Sequence, residues 1–246
     1  MWTIETQLSL NHSDIGALHS ERRLGAVRRE PTDSSAPCQP KTNVAHAQAA
    51  TFSGWLEKTF ALKSEQRFWT WKCALGWYLQ HGGGTIVETG CQRQTDDWGA
   101  GCSTTLFATL LKDHNIGELH SVDITADFLK LAQEVTRNLG IADRLHFHHA
   151  DGVEFLSNFS QPIHFLYLDS YDWFPNEPRL TECQQHQLRE LQAAWPKLSR
   201  DAVVLLDDNN LPSGGKTRLS KEYLADQGWV CLLDWQQSVW VRSEQI

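Results

Sequence analysis

The sequence predicts an α/β fold: a doubly wound, mostly parallel seven-stranded sheet that ends in an antiparallel hairpin. Three observations carry this. From about residue 81 onward, short apolar segments alternate with longer amphipathic ones across short connectors, the pattern of parallel strands covered by helices on both faces. The segment IHFLYLD at 163–169 is almost continuously apolar, as a central strand buried on both faces should be. At the end of the chain, WVCLLDW and SVWVRS are separated only by QQ. That gap is too short for a crossover helix, so the two strands must run antiparallel.

The elements follow in order. Residues 1–50 mix Arg, Ser, Pro, Gln and Ala with little aliphatic periodicity, and are expected to form a flexible leader. Residues 51–80 place Trp55, Leu56, Phe60, Leu62, Trp69, Leu75 and Trp77 in partly helical spacing, as one or two helices flanking the core. HGGG at 81–84 then breaks the helix and releases the chain into a core at 81–243. Strands are expected at 85–89 (TIVET), 118–124 (ELHSVDI), 144–150 (RLHFHHA), 163–169 and 202–208 (AVVLLDD). Helices are expected from near Ser103, in DFLKLAQEVTRNLG, in VEFLSNF, in TECQQHQLRELQAAWPKL and in KTRLSKEYLADQG.

Composition removes several functional classes. With 22 Lys and Arg against 30 Asp and Glu, the formal charge of −8 repels a nucleic-acid backbone. Basic residues gather only at Arg22, Arg23, Arg28 and Arg29, a run that reads as solvated chain, so no nucleic-acid partner is expected. The six cysteines include no CxxC pair, which argues against a zinc site and against a dense disulfide framework. No span of about 18 apolar residues and no signal-peptide start is present, so a cytoplasmic protein without membrane contact is expected. Homo-oligomerisation stays open.

In a doubly wound sheet, ligands bind beyond the carboxyl ends of the strands. The first strand ends in Glu88 and Gly90, followed by the long loop CQRQTDDW and then GAGCST. Glycines 90, 99 and 101 permit close backbone approach, and Ser103 and Thr104 open a helix whose free amides suit an anion. A tight turn would use the same glycines. The second strand ends at Asp123 and the third at Asp151 beside Gly152; each acid suits either a ligand hydrogen bond or the capping of the following helix. The fourth ends at Asp169, and the fifth in Asp207, Asp208, Asn209 and Asn210. Oxygen donors of this kind suit Mg²⁺ or Ca²⁺, although an Asx-rich turn has the same composition. Alternation in LHFHHA sends His146 and His148 to one face and His149 to the other, so spacing alone yields no three-histidine cluster. Tyr171, Trp173 and Phe174 occupy the loop past Asp169, where they either wall a substrate pocket or pack against the core.

Five βα units, a terminal hairpin and acids at these strand ends resemble the class I S-adenosylmethionine-dependent methyltransferases over about residues 80–243. The resemblance implies a Rossmann-like methyltransferase fold with S-adenosylmethionine as cofactor. It implies a cofactor site of Glu88, Gly90, Gly99, Gly101, Ser103, Asp123 at the ribose, and Asp151 with Gly152 at the adenine. The fourth and fifth strand ends resemble those of metal-dependent catechol-type O-methyltransferases and of sugar O-methyltransferases. That match implies Asp169, Asp208 and Asn209 as ligands of an optional Mg²⁺. Where those enzymes carry a lysine base, three residues beyond the fourth-strand acid, this chain has Asp172, which makes Asp169 and Asp172 the catalytic candidates. The expected activity is methylation of a small-molecule hydroxyl. The alternatives are an aminopropyltransferase-like enzyme of the same fold and a non-catalytic cofactor-binding module.

Overall fold

The computed structural model describes residues 42–246 apart from 97 and 99–101, with 42–51 as backbone alone. Gly99, Gly101 and the basic run at 22–29 lie outside the described residues. The first helix among the described residues, α1 (Thr42–Ser64), begins inside the segment expected to be leader, so 42–50 are helical. After a short 3₁₀ turn come α2 (Phe68–Gln80), β1 (Thr85–Thr89), α3 (Ser103–His114), β2 (Glu118–Asp123) and α4 (Ala126–Thr136). They are followed by β3 (Leu145–His149), α5 (Gly152–Asn158), β4 (Ile163–Leu168), α6 (Arg179–Ala194) and β5 (Leu198–Leu206). The last elements are α7 (Arg218–Asp226), β6 (Trp229–Asp234) and β7 (Ser238–Arg242).

All seven strands form one sheet in the order β3-β2-β1-β4-β5-β7-β6. The first five are parallel; β7 inserts antiparallel between β5 and β6. The expected fold class is the observed one. The strand β5 begins four residues before its expected start, because Leu198 already pairs with Ile163 before a register shift. The preceding helix correspondingly stops at Ala194, where Pro196 cannot continue the hydrogen-bond ladder.

Period-two alternation divides the sheet's side chains between two cores. Ile86, Phe165, Tyr167, Val203 and Leu205 face α1, α2 and α3, packing on Leu56, Phe60, Trp71, Leu75, Phe107 and Leu110. Val87, Leu166, Leu168, Val204 and Leu206 face α5, α6 and α7, packing on Leu156, Leu191 and Leu224. Each such fully buried side chain contributes about 1.5–3 kcal/mol. The flanking helices follow the expected periodicity only in part: Leu56, Phe60 and Leu75 are buried, whereas Leu62 is 96% exposed. None of the helices among the described residues is long and apolar enough to cross a membrane.

Candidate active site

The parallel strands bring their carboxyl ends to one edge. There Glu88 ends β1 fully buried, with Oε1 accepting hydrogen bonds from Thr104 Oγ1 at 2.5 Å and Ser121 Oγ at 2.6 Å. These bonds tie together β1, the first turn of α3 and β2. Burial pushes the Glu88 carboxyl up to about 7, against the opposing pull of the hydroxyl donors. Its second oxygen, Oε2, is buried without a hydrogen-bond partner. Gly90 has φ +84°, and a Cβ there would lie 2.6 Å from the carbonyl oxygen of Asp169, so β1 and β4 approach closely only because this residue is glycine. The long loop after Gly90 is organised by Gln92. Its amide nitrogen donates to the carbonyls of Gln94 and Thr95, its side-chain oxygen accepts from Thr105, and its backbone N–H donates to Thr104. Ser103 opens α3 with no side-chain cap on the helix, which leaves first-turn amides for an anion.

Asp123 ends β2 buried, with Oδ2 accepting from the Cys91 N–H at 3.0 Å and Oδ1 from the Thr125 N–H at 2.7 Å. It therefore fixes the start of the long loop as well as the turn into α4; Thr125 makes no side-chain cap bond. Asp151 caps α5 through Oδ1, which accepts from the N–H groups of Val153 and Glu154. A Cβ on Gly152 would lie 2.0 Å from Oε1 of Glu190, a fully buried residue of α6 that also accepts from Ser170 Oγ at 2.7 Å.

At the tips of β4 and β5 the structure departs from the expected ligand set. Lys216, 1% exposed, holds its ammonium 2.9 Å from Asp169 Oδ1 and 3.1 Å from Asp208 Oδ2, and also donates to the Ser170 carbonyl. Asn209 is committed elsewhere: its amide donates to Asp234 and the Trp235 carbonyl, and its oxygen accepts from Thr217 and Lys221. The three residues therefore do not fit a divalent cation, since an ammonium already bridges the two carboxylates and the amide oxygen is occupied. Burial opposes the charge on Lys216, but Asp169, Asp208 and Asp207 outweigh it and raise its pKa. Asp172 stands apart from this group. It is 62% exposed and pairs with Arg93 of the long loop at 2.6 Å, a role in loop docking rather than at the Asp169 carboxyl.

Behind Asp169 runs a buried relay. Asp207, fully buried, receives a two-nitrogen contact from Arg67 at 3.0 and 3.2 Å, a hydrogen bond from the Tyr167 hydroxyl and one from Gln237 at 3.1 Å. Burial disfavours the Asp207 charge, yet Arg67, Lys216 and Tyr167 prevail and hold its pKa below the usual carboxylate value. The Tyr167 oxygen also lies 3.1 Å from Asp169 Oδ2. A phenol has one proton, and it is directed to Asp207, so the contact with Asp169 is a hydrogen bond when Asp169 carries a proton. Burial raises Asp169 to about 7, Lys216 pulling down and Asp207 and Asp208 pushing up. The Asp169 side chain remains 20% exposed, open to a substrate from the edge of the sheet. In the loop beyond, Tyr171 packs on His186 of α6, and the Arg179 guanidinium lies 3.3 Å over the Phe174 ring.

Arg67, Gln92, Tyr167, Glu190 and Lys216 escaped the strand-end rule because they reach the edge from elements other than its acidic tips. For Tyr167 a signal existed: two residues before Asp169 on the same strand, it must share a face with it.

Residues 98–209 match the family model of a methyltransferase domain. No curated protein matches the sequence. Among solved structures, the O-methyltransferase NovP superposes at TM-score 0.55 with 16% identity, over 72% of this chain and 79% of its own. A Staphylococcus aureus protein described as a caffeoyl-CoA O-methyltransferase gives TM-score 0.54 with 10% identity over 80% and 100%. CalS11, a TDP-rhamnose 3′-O-methyltransferase of calicheamicin biosynthesis, gives 0.50 with 14% identity over 85% and 97%.

Proposed function

We propose that this chain, whose domain is that of a class I S-adenosylmethionine-dependent methyltransferase, methylates a hydroxyl oxygen of a small molecule with Asp169 as base and Lys216 as the fixed cation. The observation that carries the proposal is the Asp169–Lys216 pair, an accessible carboxyl raised to about 7 against a buried ammonium 2.9 Å away. The cofactor residues are Glu88, Gly90, Ser103, Asp123, Asp151 and Gly152. The partnerless Oε2 of Glu88 supports this assignment, because a buried carboxylate oxygen without a donor suits the ammonium of an amino-acid moiety. The Asp123 oxygens each accept one backbone bond and retain acceptor capacity for ribose hydroxyls.

When bound, the cofactor supplies a methyl group already activated by its sulfonium centre. The protein's task is to align a nucleophile and take its proton. Asp169 in its ionised form would take the proton of the acceptor hydroxyl at its solvent-accessible carboxylate. The protonated carboxyl then donates to the Tyr167 oxygen, whose own proton stays on the phenol and remains directed to Asp207. Lys216 keeps positive charge beside the acceptor oxygen as negative charge develops, which is the service a divalent ion performs elsewhere. The fold shared with CalS11, described as a TDP-rhamnose 3′-O-methyltransferase, makes hydroxylated metabolites the first acceptors to screen.

Calorimetric titration with S-adenosylhomocysteine, with and without a chelator, tests the proposal. We expect saturable binding that the chelator leaves unchanged and that Asp123→Ala weakens about ten- to a hundredfold, the value of a hydrogen bond to a charged group. Absence of binding refutes the cofactor assignment, an unaltered Asp123→Ala variant refutes the ribose contact, and binding that the chelator weakens refutes the metal-free site.

A further inference from the structure

Strands β2 and β3 run parallel with His120 opposite His146 and Val122 opposite His148. Since alternate residues share a face, Glu118 and His120 of β2 stand on the same side of the sheet as His146 and His148 of β3. Nε2 of His120 lies 3.5 Å from one oxygen of Glu118, and Nε2 of His146 lies 3.5 Å from the other. One donor atom from each of the three residues lies within 4.8 Å of the other two. We propose that Glu118, His120 and His146 form a zinc site, separate from the methyl-transfer edge, that clamps edge strand β3 to β2.

Three features support a metal over an ordinary polar cluster. The spacing is within reach of an ion: around a tetrahedral zinc with bonds of about 2.0–2.2 Å donors stand about 3.4 Å apart, against 3.5 Å for each imidazole–carboxylate contact and at most 4.8 Å across the set. His120 is buried, its side chain 8% exposed, and its Nε2 reaches no more than a long 3.5 Å contact with the Glu118 carboxylate. A buried ring nitrogen left so is costly, and an ion resolves the cost. The surroundings are also those of a ligated imidazole. Nδ1 of His120 lies 3.0 Å from Nε2 of His148, a contact that holds the ring orientation, and Thr85 Oγ1 donates to Glu118 Oε1 at 3.3 Å. Phe155 of α5 and Phe159 just after it pack against this group, Phe159 edge-on to His120 with centroids 4.9 Å apart.

Two imidazole nitrogens and one carboxylate oxygen suit zinc rather than Mg²⁺ or Ca²⁺. The 40% exposure of His146 and 33% exposure of Glu118 give an ion its entry and leave a fourth position to water. The site lies near the amino ends of β2 and β3. His120 is three residues, roughly 10 Å along the strand, from Asp123 at the cofactor edge, so the proposal stands independently of the methyltransferase chemistry.

The test uses the full chain, stripped of metal by a chelator and titrated with zinc chloride by calorimetry, with thermal unfolding in parallel. We expect one zinc per chain and a rise in Tm on zinc addition, no such response to magnesium, and a visible d–d band when cobalt replaces zinc. His146→Ala, at an exposed position of the edge strand, should unfold near the metal-free wild-type temperature while losing at least tenfold in zinc affinity together with the cobalt band. Glu118→Gln should behave alike, and His149→Ala, on the opposite face of β3, should retain both. Absence of stoichiometric zinc binding overturns the proposal. So does zinc binding that survives both His146→Ala and Glu118→Gln, which would assign the ion to other residues such as the free cysteines.

Discussion

Lys216 has no freedom to leave its carboxylates. Gly215 precedes it at φ +60°, where a Cβ would lie 1.8 Å from the Asp208 carbonyl oxygen, and the Lys216 N–H donates to that same carbonyl at 3.1 Å. The backbone is thus folded onto the β5 tip, and the side chain can only reach across to Asp169. Lys216→Met keeps the volume and removes the charge, which leaves Asp169 and Asp208 facing one another uncompensated. Breaking a buried pair in this way costs about 3–5 kcal/mol, to be read as a fall in Tm. Asp169 loses its strongest pull toward ionisation, so the acid limb of the pH–rate profile should move to higher pH. An unchanged profile in a folded Lys216→Met protein would remove Asp169 from the role of base. The acids of this group were readable because strand ends are readable: Asp169 and Asp208 each close an apolar run. Lys216 was not. It lies in SGGKTRLS, read as loop and helix start, and only the left-handed backbone at Gly215 brings it to the edge. Asn209 was misread for the complementary reason, since its partners Asp234 and Lys221 come from the hairpin and from α7.

Strand β1 and the loop that follows form the hinge of the site, because three neighbours are fastened to this short stretch. Gly90 N–H donates to the Val122 carbonyl, Asp169 N–H to the Thr89 carbonyl, and Cys91 N–H to Asp123. Gly90→Ala must either strain a positive φ or push β4 away through the 2.6 Å clash with Asp169. A cost of about 1–3 kcal/mol is expected from the backbone alone. The displaced Asp169 should additionally lower turnover, while Gly140→Ala, at a positive φ with nothing within 4 Å, should strain only its own turn and leave turnover intact. Equal loss of activity in the two variants would show that Gly90 carries no positional role. Alternation along a strand was legible, and it correctly sent His146 and His148 to one face. What one strand's pattern cannot contain is its register against another. Glu118 and His120 join those histidines only through the β2–β3 pairing, in which His120 stands opposite His146. The long loop was illegible likewise: Gln92 organises it through bonds to Thr104 and Thr105 of α3, thirteen or fewer residues away in sequence.

Across the molecule, buried carboxyls of opposite tendency should shape the dependence of stability on pH. Asp207 is held below its ordinary value by Arg67, so its stabilisation is present above the unfolded pKa and is lost as pH falls through its native value. This pair fastens the start of α2 to the tip of β5, which is how the amino-terminal helical layer is fixed on the sheet. Glu88 has the opposite sign. Its carboxyl is raised from 4.5 to about 7 by burial, so between those values the native state binds the extra proton and stability falls as pH rises. The fall is complete once pH exceeds the native pKa, and amounts to on the order of 3 kcal/mol for a shift of this size. Asp169, likewise raised to about 7, adds to the slope in the same window. Burial lowers the His148 ring to about 4, which adds stability as pH rises toward 6.5 and opposes the carboxyls there, so Tm should be highest near pH 6 and decline from there toward pH 8, with Asp207 setting the decline in strong acid. Glu88→Gln retains an oxygen to accept from Thr104 and Ser121 but does not titrate, so it should flatten the decline toward pH 8 and leave the acid limb in place. S-adenosylhomocysteine should also flatten it in the wild type, because an ammonium beside Oε2 favours the ionised carboxylate and lowers its pKa. A slope equally steep in Glu88→Gln would assign the alkaline loss to Asp169 alone, and a slope unmoved by ligand would separate Glu88 from the cofactor's amino group.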